Sequence, residues 1–449
     1  MAGATAGRAD ARATDDVGGR STDPGPTGTR VGGTFSALRI PAYRRYATGA
    51  LASNVGTWMH RIAQSWLVLQ VTGDARMLGL VVAAQFAPML FLAPFAGVLA
   101  DRHDRRRLLQ LTQIGMGLQA LALALLTLTG HATGALILVF AAALGVVTAL
   151  DAPARQSIVS DLVPHGQVVN AVALNSANFN AARLVGPAVA GLMIAAWGAG
   201  WVFLINALSF TVMYAALAGI HLQSRAAQHR AGGLRDGLAY VRHRPDLWFV
   251  IATAGGVAML VFNFPITIPL MVSDTFSADA RTFGVLTSLM AVGSLAAALA
   301  QARRARTDLR LVAMAAMAAG GTVVLAGIMP SVWSFAAALI ACGATSLTMM
   351  TAANAYLQTH ADAEHRSRVM ALYMAIFFGT TPVGAPLVGL LADEFGPRAA
   401  LVLPGVLSLL LTALLVVALR RARSRQSTTL RVAPIARPTT PSKAPAASR

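Results

Sequence analysis

From Tyr46 onward the chain alternates long apolar runs with short polar breaks. A helix needs about 20 residues to cross the roughly 30 Å hydrocarbon layer of a bilayer. Runs of about that length fall near 46–71, 78–100, 108–129, 134–152, 170–197, 201–220, 248–272, 283–302, 309–329, 331–356, 368–392 and 399–419. Leu78–Ala100 has Gln85 as its one strongly polar residue, and Ala399–Leu419 carries no charge. Backbone groups inside lipid must bond within their own segment, so the runs predict helices; a barrel would show short alternating strands. Residues 1–40, rich in Gly, Ala, Thr and Arg, and the basic stretch 420–449 are expected to be disordered cytoplasmic tails. The first tail lacks the apolar stretch of a signal peptide. The central loop 221–247 is too short for a soluble domain, with room for one amphipathic surface helix carrying Leu234, Leu238 and Val241.

An internal repeat organises the runs. Val185-Gly186, Gly191-Leu192-Met193 and Trp197-Gly198 recur 198 positions later as Val383-Gly384, Gly389-Leu390-Leu391 and Phe395-Gly396. Segment five then corresponds to segment eleven. The expectation is an all-α membrane protein of twelve transmembrane helices in two six-helix pseudo-symmetric halves, 41–220 and 248–419, with a binding site near the bilayer midplane where the halves meet.

Composition narrows the chemistry. Of 449 residues 56% are apolar and 12% charged, against about 25% charged in soluble proteins, which excludes an ordinary soluble enzyme. Lys443 is the sole lysine, so no phosphate-binding GxxxxGK[ST] loop exists and any work draws on a gradient. The sole cysteine, Cys342, lies in an apolar run and reads as a core residue; the histidines form no HExxH, so neither metal nor cofactor is expected. The net charge of +18 is distributed by position. With a cytoplasmic N-terminus the outer loops hold Arg76, Arg281 and Arg398, while Arg102, Arg105–Arg107, five arginines between Arg225 and Arg244, Arg303–Arg310, Arg366 and Arg368 fall inside. That is a positive-inside pattern with both termini cytoplasmic, so the charge points to anionic headgroups and not to nucleic acid.

Two arginines escape this pattern. Arg61 lies about 22 Å into segment one, where a charge costs on the order of 3 kcal/mol by insertion scales and must face a polar cavity. Asn54, Thr57, Arg61 and Ser65 form one polar stripe, bordered by His60 and Gln64. Ser176, Asn180 and Arg183 form another on segment five, where Arg183 either joins the cavity, snorkels, or pairs with Asp151 or Asp101. Asn263 and Asn354 add uncharged polar groups in the second half. The acids nearest the membrane interior, Asp101, Asp151, Asp393 and Glu394, lie at segment ends. Candidate substrate-binding residues are therefore Arg61, His60, Asn54, Gln64, Ser65, Asn180, Arg183, Asn263 and Asn354, with His60 and Asp151 as candidate proton carriers.

Several stretches carry a resemblance. Gly97-Val98-Leu99-Ala100-Asp101-Arg102-His103-Asp104-Arg105-Arg106-Arg107 resembles the loop signature GxLADRxGRR of the major facilitator superfamily, with Asp104 in place of the turn glycine. Asp151-Ala152-Pro153-Ala154-Arg155-Gln156 reads either as a helix cap with an ion pair or as part of a longer match with Asn170–Ser176 and Arg183-Leu184-Val185-Gly186-Pro187 plus Gly191. That match, with Ser53–Met59, Tyr240-Val241-Arg242, Arg244–Leu247 and Arg368–Tyr373, is similar to the enterobactin-exporter-like, or transmembrane secretion effector, branch. Gly186, Pro187 and Gly191 also resemble an antiporter signature, here without its second glycine pair.

The resemblance implies a secondary transporter working by alternating access, exporting small amphipathic molecules in exchange for protons. Gly97, Asp101, Arg102, Arg105, Asp151, Arg155, Gly186, Pro187 and Gly191 are then conformational gate and coupling residues. The absence of a mid-membrane acid favours neutral or anionic substrates, drug- or siderophore-like, handled by a monomer. Uptake of an anionic metabolite, a lipid-handling role and a non-transporting membrane receptor are the alternatives, the last disfavoured by the loop signature of a moving interface.

Overall fold

A computed structural model describes residues 33–220, 234–302 and 307–432, with the side chains of Asp101 and Leu234 outside the described set. The segments predicted as tails over 1–32 and 433–449 also lie outside it, as does loop 221–233. Among the described residues the protein is all-helical. The first six helices are α1 (Pro41–Thr72), α2 (Ala75–Arg102), α3 (Arg105–Leu128), α4 (Gly134–Asp161), α5 (Val168–Trp197) and α6 (Ala199–Ala218). After α7 (Leu234–Arg242) come α8 (Pro245–Leu260), α9 (Phe264–Leu270), a π-helical turn at Met271–Thr275, α10 (Ala280–Ala302), α11 (Leu309–Ile328), α12 (Val332–His360), α13 (Arg366–Gly379) and α14 (Thr381–Val432).

Ten of these stretches are long and apolar enough to cross a membrane. The π turn joins α8 and α9 into one stretch, Pro245–Thr275, and the last, Arg366–Ala422, is interrupted at Gly396. α1 is not among the ten, although its 32 residues exceed the length required, because its polar stripe lowers its apolarity. Local chemistry sets the boundaries. Pro41 and Pro245 occupy first-turn positions, where the missing N–H costs nothing. Asp74 accepts from Arg76 N and Met77 N to cap α2, and Gly73, at φ 63°, ends α1. Asp104 accepts from Arg106 N at 2.9 Å and Arg107 N at 3.4 Å, so the residue that displaces the signature glycine caps α3 with no left-handed turn.

Several boundaries differ from the hydropathy reading. α4 continues through Pro153 to Asp161, so Asp151 lies inside a helix, 4% exposed, and not at a segment end. Segment seven breaks at residues 261–263, where Asn263 donates its amide to Met259 O at 2.8 Å and its own carbonyl accepts from Ile266 and Thr267. The chain expected to be disordered from 420 stays helical to Val432, since its arginines are good helix formers and the next proline is Pro434. The end of the first tail is also ordered: Ala37 N donates to Asn170 Oδ1 at 3.0 Å and Asn170 Nδ2 to Thr34 O at 2.8 Å. In the central loop α7 buries Val241 and leaves Leu238 half exposed.

The repeat is visible as geometry. Gly198, between α5 and α6, has φ 89° and ψ 167°; Gly396, 198 positions on, has φ 84° and ψ 166°. Only glycine adopts this region readily. A Cβ at Gly191 would lie 2.6 Å from Ala280 O of α10, and one at Gly389 would lie 2.6 Å from Ala75 O of α2. Thus α5 packs on α10 as α14 packs on α2, joining the halves through bare backbone. These approaches sit at the end bearing the α1–α2 and α5–α6 turns, where Arg76 Nε also pairs with Asp393 Oδ2 at 2.7 Å and Arg76 Nη2 with Glu394. At the opposite end, which carries the start of α1, a Cβ on Gly97 would meet open space, so the close packing expected of that glycine is absent in this state.

Candidate functional site

Where the halves meet, a cavity of about 240 Å³ lies at mid-depth. One helical face of α1 supplies Trp58, Arg61, Gln64 and Ser65; α2 adds Gln85 and Phe86, and α5 adds Arg183. The break between α8 and α9 turns Phe262 and Phe264 into the same space, opposite Phe283, Thr287 and Met290 of α10 and Phe377 of α13. The cavity is therefore polarised. Its first-half wall carries two cations and two amides, while its second-half wall is aromatic and aliphatic apart from the hydroxyls of Thr287 and Ser346.

No acid lines the cavity among the described residues. The Arg61 guanidinium carbon lies 5.2 Å from the Trp58 ring centre and 5.9 Å from that of Phe86, and Arg183 lies 5.8 Å from Trp58. Ring faces offset part of a cation's desolvation but supply no countercharge. Arg183 Nη2 reaches Ser294 Oγ of α10 at 3.4 Å, and that hydroxyl donates to Gly343 O of α12 at 3.1 Å, so the arginine spans the boundary between the halves. Gln85 Nε2 donates to Gln64 Oε1 at 2.5 Å, leaving Gln64 Nε2 and Ser346 Oγ buried with no partner in the protein. Buried polar atoms left unpaired cost roughly 1–3 kcal/mol each. A ligand that pairs them recovers that cost.

The remaining sequence candidates divide. Arg61, Gln64, Ser65 and Arg183 come together in this cavity, whereas Asn54 and Asn180 line a second one nearer the open end, with Tyr46, Ala50, Arg155, Asn175, Ser176 and Phe179. His60 is not brought to either: one position round from Arg61, it packs edge-on against Phe203 of α6 at 4.8 Å, 1% exposed. Asn263 is consumed by the helix break, and Asn354 accepts from Gln358 Nε2 at 2.6 Å outside the lining. Trp58, Phe86 and the second-half phenylalanines were not singled out from sequence, since aromatic residues in a span read as packing. Gln85 was visible there as the one polar residue of its run, yet nothing in a single sequence aims it inward.

Of the gate candidates, Asp151 accepts from Thr112 Oγ1 at 2.6 Å, Gln113 Nε2 at 3.0 Å and Arg155 Nε at 2.6 Å. This is a fully paired network inside the first half. Arg105 pairs with Asp161 at 2.6 Å, Arg102 is exposed, and Asp101 occupies the last turn of α2. Gly186, beside buried Pro187, sits where a Cβ would lie 2.7 Å from that of Trp58, so α5 presses on α1 directly behind the two arginines.

The profile of the transmembrane secretion effector family matches residues 32–440. The chain belongs to that family of major facilitator transporters. The Staphyloferrin A transporter of Staphylococcus aureus is 24% identical over 367 residues, covering 80% of this chain and 91% of that protein. The multidrug efflux pump Tap of Mycobacterium tuberculosis is 26% identical over 380 residues, covering 79% and 88%. Among solved structures, a bacterial homolog of the human lysosomal transporter Spinster in an inward-facing, occupied conformation superposes with a TM-score of 0.69 at 14% identity, covering 86% of this chain and 97% of that one. A bacterial homologue of the iron transporter ferroportin, inward-facing, gives 0.65 at 15%, covering 84% and 98%. This transporter thus shares the major facilitator fold, and it is a membrane transporter rather than an enzyme.

Proposed function

We propose that this transporter exports small amphipathic molecules, neutral or anionic and drug- or siderophore-like, by alternating access in exchange for protons. The observation that carries the reading is the pairing of Arg61 and Arg183 in a mid-depth cavity with no lining acid among the described residues. Arginine keeps its proton even when partly buried, so the cavity holds fixed positive charge beside a greasy wall. A lipophilic cation would meet repulsion there. Efflux and siderophore relatives support export, and a positive-inside arginine pattern supports cytoplasmic termini, which makes the open end the cytoplasmic one. Both walls of the cavity come from one chain, which supports action as a monomer, and we read α1 and both arms of Arg366–Ala422 as spans, giving twelve. Gly191 and Pro187 belong to the moving interface, with Gly97, Asp101, Arg102 and Arg105 at its cytoplasmic face. Asp151, the buried acid bound to Arg155, is the proton carrier this arrangement favours, because protonation would release that ion pair.

The test is transport of matched anionic and cationic aromatic compounds in inverted vesicles carrying a pH gradient, for wild type and Arg61→Gln. Anions should accumulate in wild type and lose at least about tenfold in rate in the variant. Efficient cation transport with anion transport unchanged in Arg61→Gln overturns the reading. Accumulation only in right-side-out vesicles would favour uptake of an anionic metabolite instead.

A further inference from the structure

The second cavity, about 260 Å³, is enclosed by first-half residues alone. It is built from α1 (Tyr46, Ala50, Asn54), α4 (Arg155) and α5 (Asn175, Ser176, Phe179, Asn180). Tyr46 and Asn175 lie about 7–11 Å along their helices from the open end, while Arg61 and Arg183 lie about 22–30 Å from it. The two cavities are therefore stacked along one path, with Trp58 and Phe179 touching edge to face at 5.8 Å between them.

Two buried donors in this shallower cavity have no partner in the protein. The hydroxyl of Tyr46, a residue 1% exposed, makes no hydrogen bond, and Nη1 of Arg155 makes none either, although Nε of the same guanidinium holds Asp151. Asp151 itself is turned away, its oxygens taken by Thr112, Gln113 and Arg155 Nε, and it is not among the lining residues. Arg155 is the sole charged group in the described lining, so the cavity offers donors and one cation to whatever enters. Buried donors of this kind are ordinarily satisfied. Ala50 and the Phe179 ring supply an apolar flank beside them.

The geometry points to a second, shallower carboxylate site, in which Tyr46 Oη–H and Arg155 Nη1–H hold the acid group of an aromatic or aliphatic cargo before it moves on to Arg61 and Arg183. The choice of cargo as the source of that carboxylate rests on the anion reading of the deeper cavity. A doubly hydrogen-bonded, charge-assisted carboxylate is among the stronger polar contacts available. Its apolar body would lie along Phe179 towards Trp58, already pointing into the deeper cavity.

The experiment is equilibrium dialysis of the purified full-length transporter in detergent with radiolabelled naphthoate, with the neutral naphthamide as control. Wild type should bind two equivalents of naphthoate, and the Arg61→Gln, Arg183→Gln double variant one. Adding Tyr46→Phe, which removes only a hydroxyl, should weaken that remaining equivalent by about tenfold or more. Asn175→Asp, which introduces a negative charge into the lining, should do the same while leaving the fold's apolar packing alone. If the double variant binds nothing while wild type binds one equivalent, the shallow site is refuted and the anion reading of the deeper cavity stands. A wild type binding a single equivalent that is lost with Tyr46→Phe and kept in the double variant supports the shallow site and refutes the deep one. Residual binding indifferent to both Tyr46→Phe and Asn175→Asp, no binding of naphthoate at all, or equal binding of naphthamide each overturn the proposal. Inorganic phosphate that displaces naphthoate from the double variant as well as unlabelled naphthoate does also overturns it, by making this a free-anion site.

Discussion

The backbone contact at Gly191 permits a quantitative prediction about the transport cycle. A Cβ placed on Gly191 of α5 would lie 2.6 Å from Ala280 O, 3.0 Å from Gly284 Cα and 3.2 Å from Arg281 Cα, all main-chain atoms of α10 that no rotamer change can move aside. Ordinary contact begins near 3.4 Å, so Gly191→Ala requires the two helices to separate by roughly 0.8 Å at that point. Overpacking of this kind costs about 1–3 kcal/mol. The cost falls on the state in which α5 and α10 are pressed together at this end, and it is relieved in the state where they part. The equilibrium should therefore move by about 5–150-fold towards opening at the Arg76 end. Spin labels at His131 and Ser331, in a Cys342→Ala background, report the separation of the halves there. Gly191→Ala should raise the long-distance population, and Gly389→Ala should do the same through Ala75 O. Gly321→Ala is the control, because a Cβ there meets nothing within 4 Å. An unchanged distance distribution in both interface variants, or an equal shift in the control, would refute the reasoning.

Three further outcomes follow from particular contacts. Asp151→Leu strands the Arg155 guanidinium in the first-half interior and should cost about 3–5 kcal/mol, read as a lower unfolding temperature in detergent; the Asp151→Leu, Arg155→Leu pair should recover most of it, and a single variant as stable as wild type would contradict the buried-pair account. Asp279, in the loop before α10, accepts from Thr282 N at 3.0 Å and from Thr282 Oγ1 at 2.9 Å, and the backbone bond in particular holds its carboxyl below the ordinary carboxylate range. A depressed folded value stabilises above the unfolded value of about 3.9 and loses that contribution as pH falls through the folded one, so Asp279→Ala should cost about 1 kcal/mol near neutral pH and approach wild type as the medium becomes strongly acidic. A deficit independent of pH would remove the carboxylate from the explanation. A reporter active only outside the cell should signal when fused after Arg76, His131 or Arg281 and stay silent after Arg105 or Arg230; signal from both of the last two would reverse the membrane orientation.

Hydropathy alone determined that this chain lives in a bilayer, roughly where most of its helices run, and that its charge belongs to the lipid face and not to nucleic acid, because each of these depends on composition summed over a segment. The 198-residue repeat likewise announced a turn that recurs, and Gly198 and Gly396 adopt it with φ values of 89° and 84°. Direction around a helix is another matter. In a soluble helix the polar stripe marks water and the apolar stripe marks the core, but in lipid both faces are apolar and the stripe loses much of its meaning. Hence Arg61 was legible as a cavity residue from the cost of its charge, whereas His60, next to it in sequence, turned out to face Phe203. The boundary at Pro153 misled for a related reason: proline ends isolated helices, but packing against α2 carries α4 through it to Asp161 and so buries Asp151 beside Thr112 and Gln113. The break at Asn263, the pairing of α5 with α10 and α14 with α2, and the unpartnered hydroxyl of Tyr46 exist only once residues far apart in the chain are brought together. The tertiary structure therefore decided which polar groups face a ligand, since that depends on which neighbours leave their hydrogen bonds unmade.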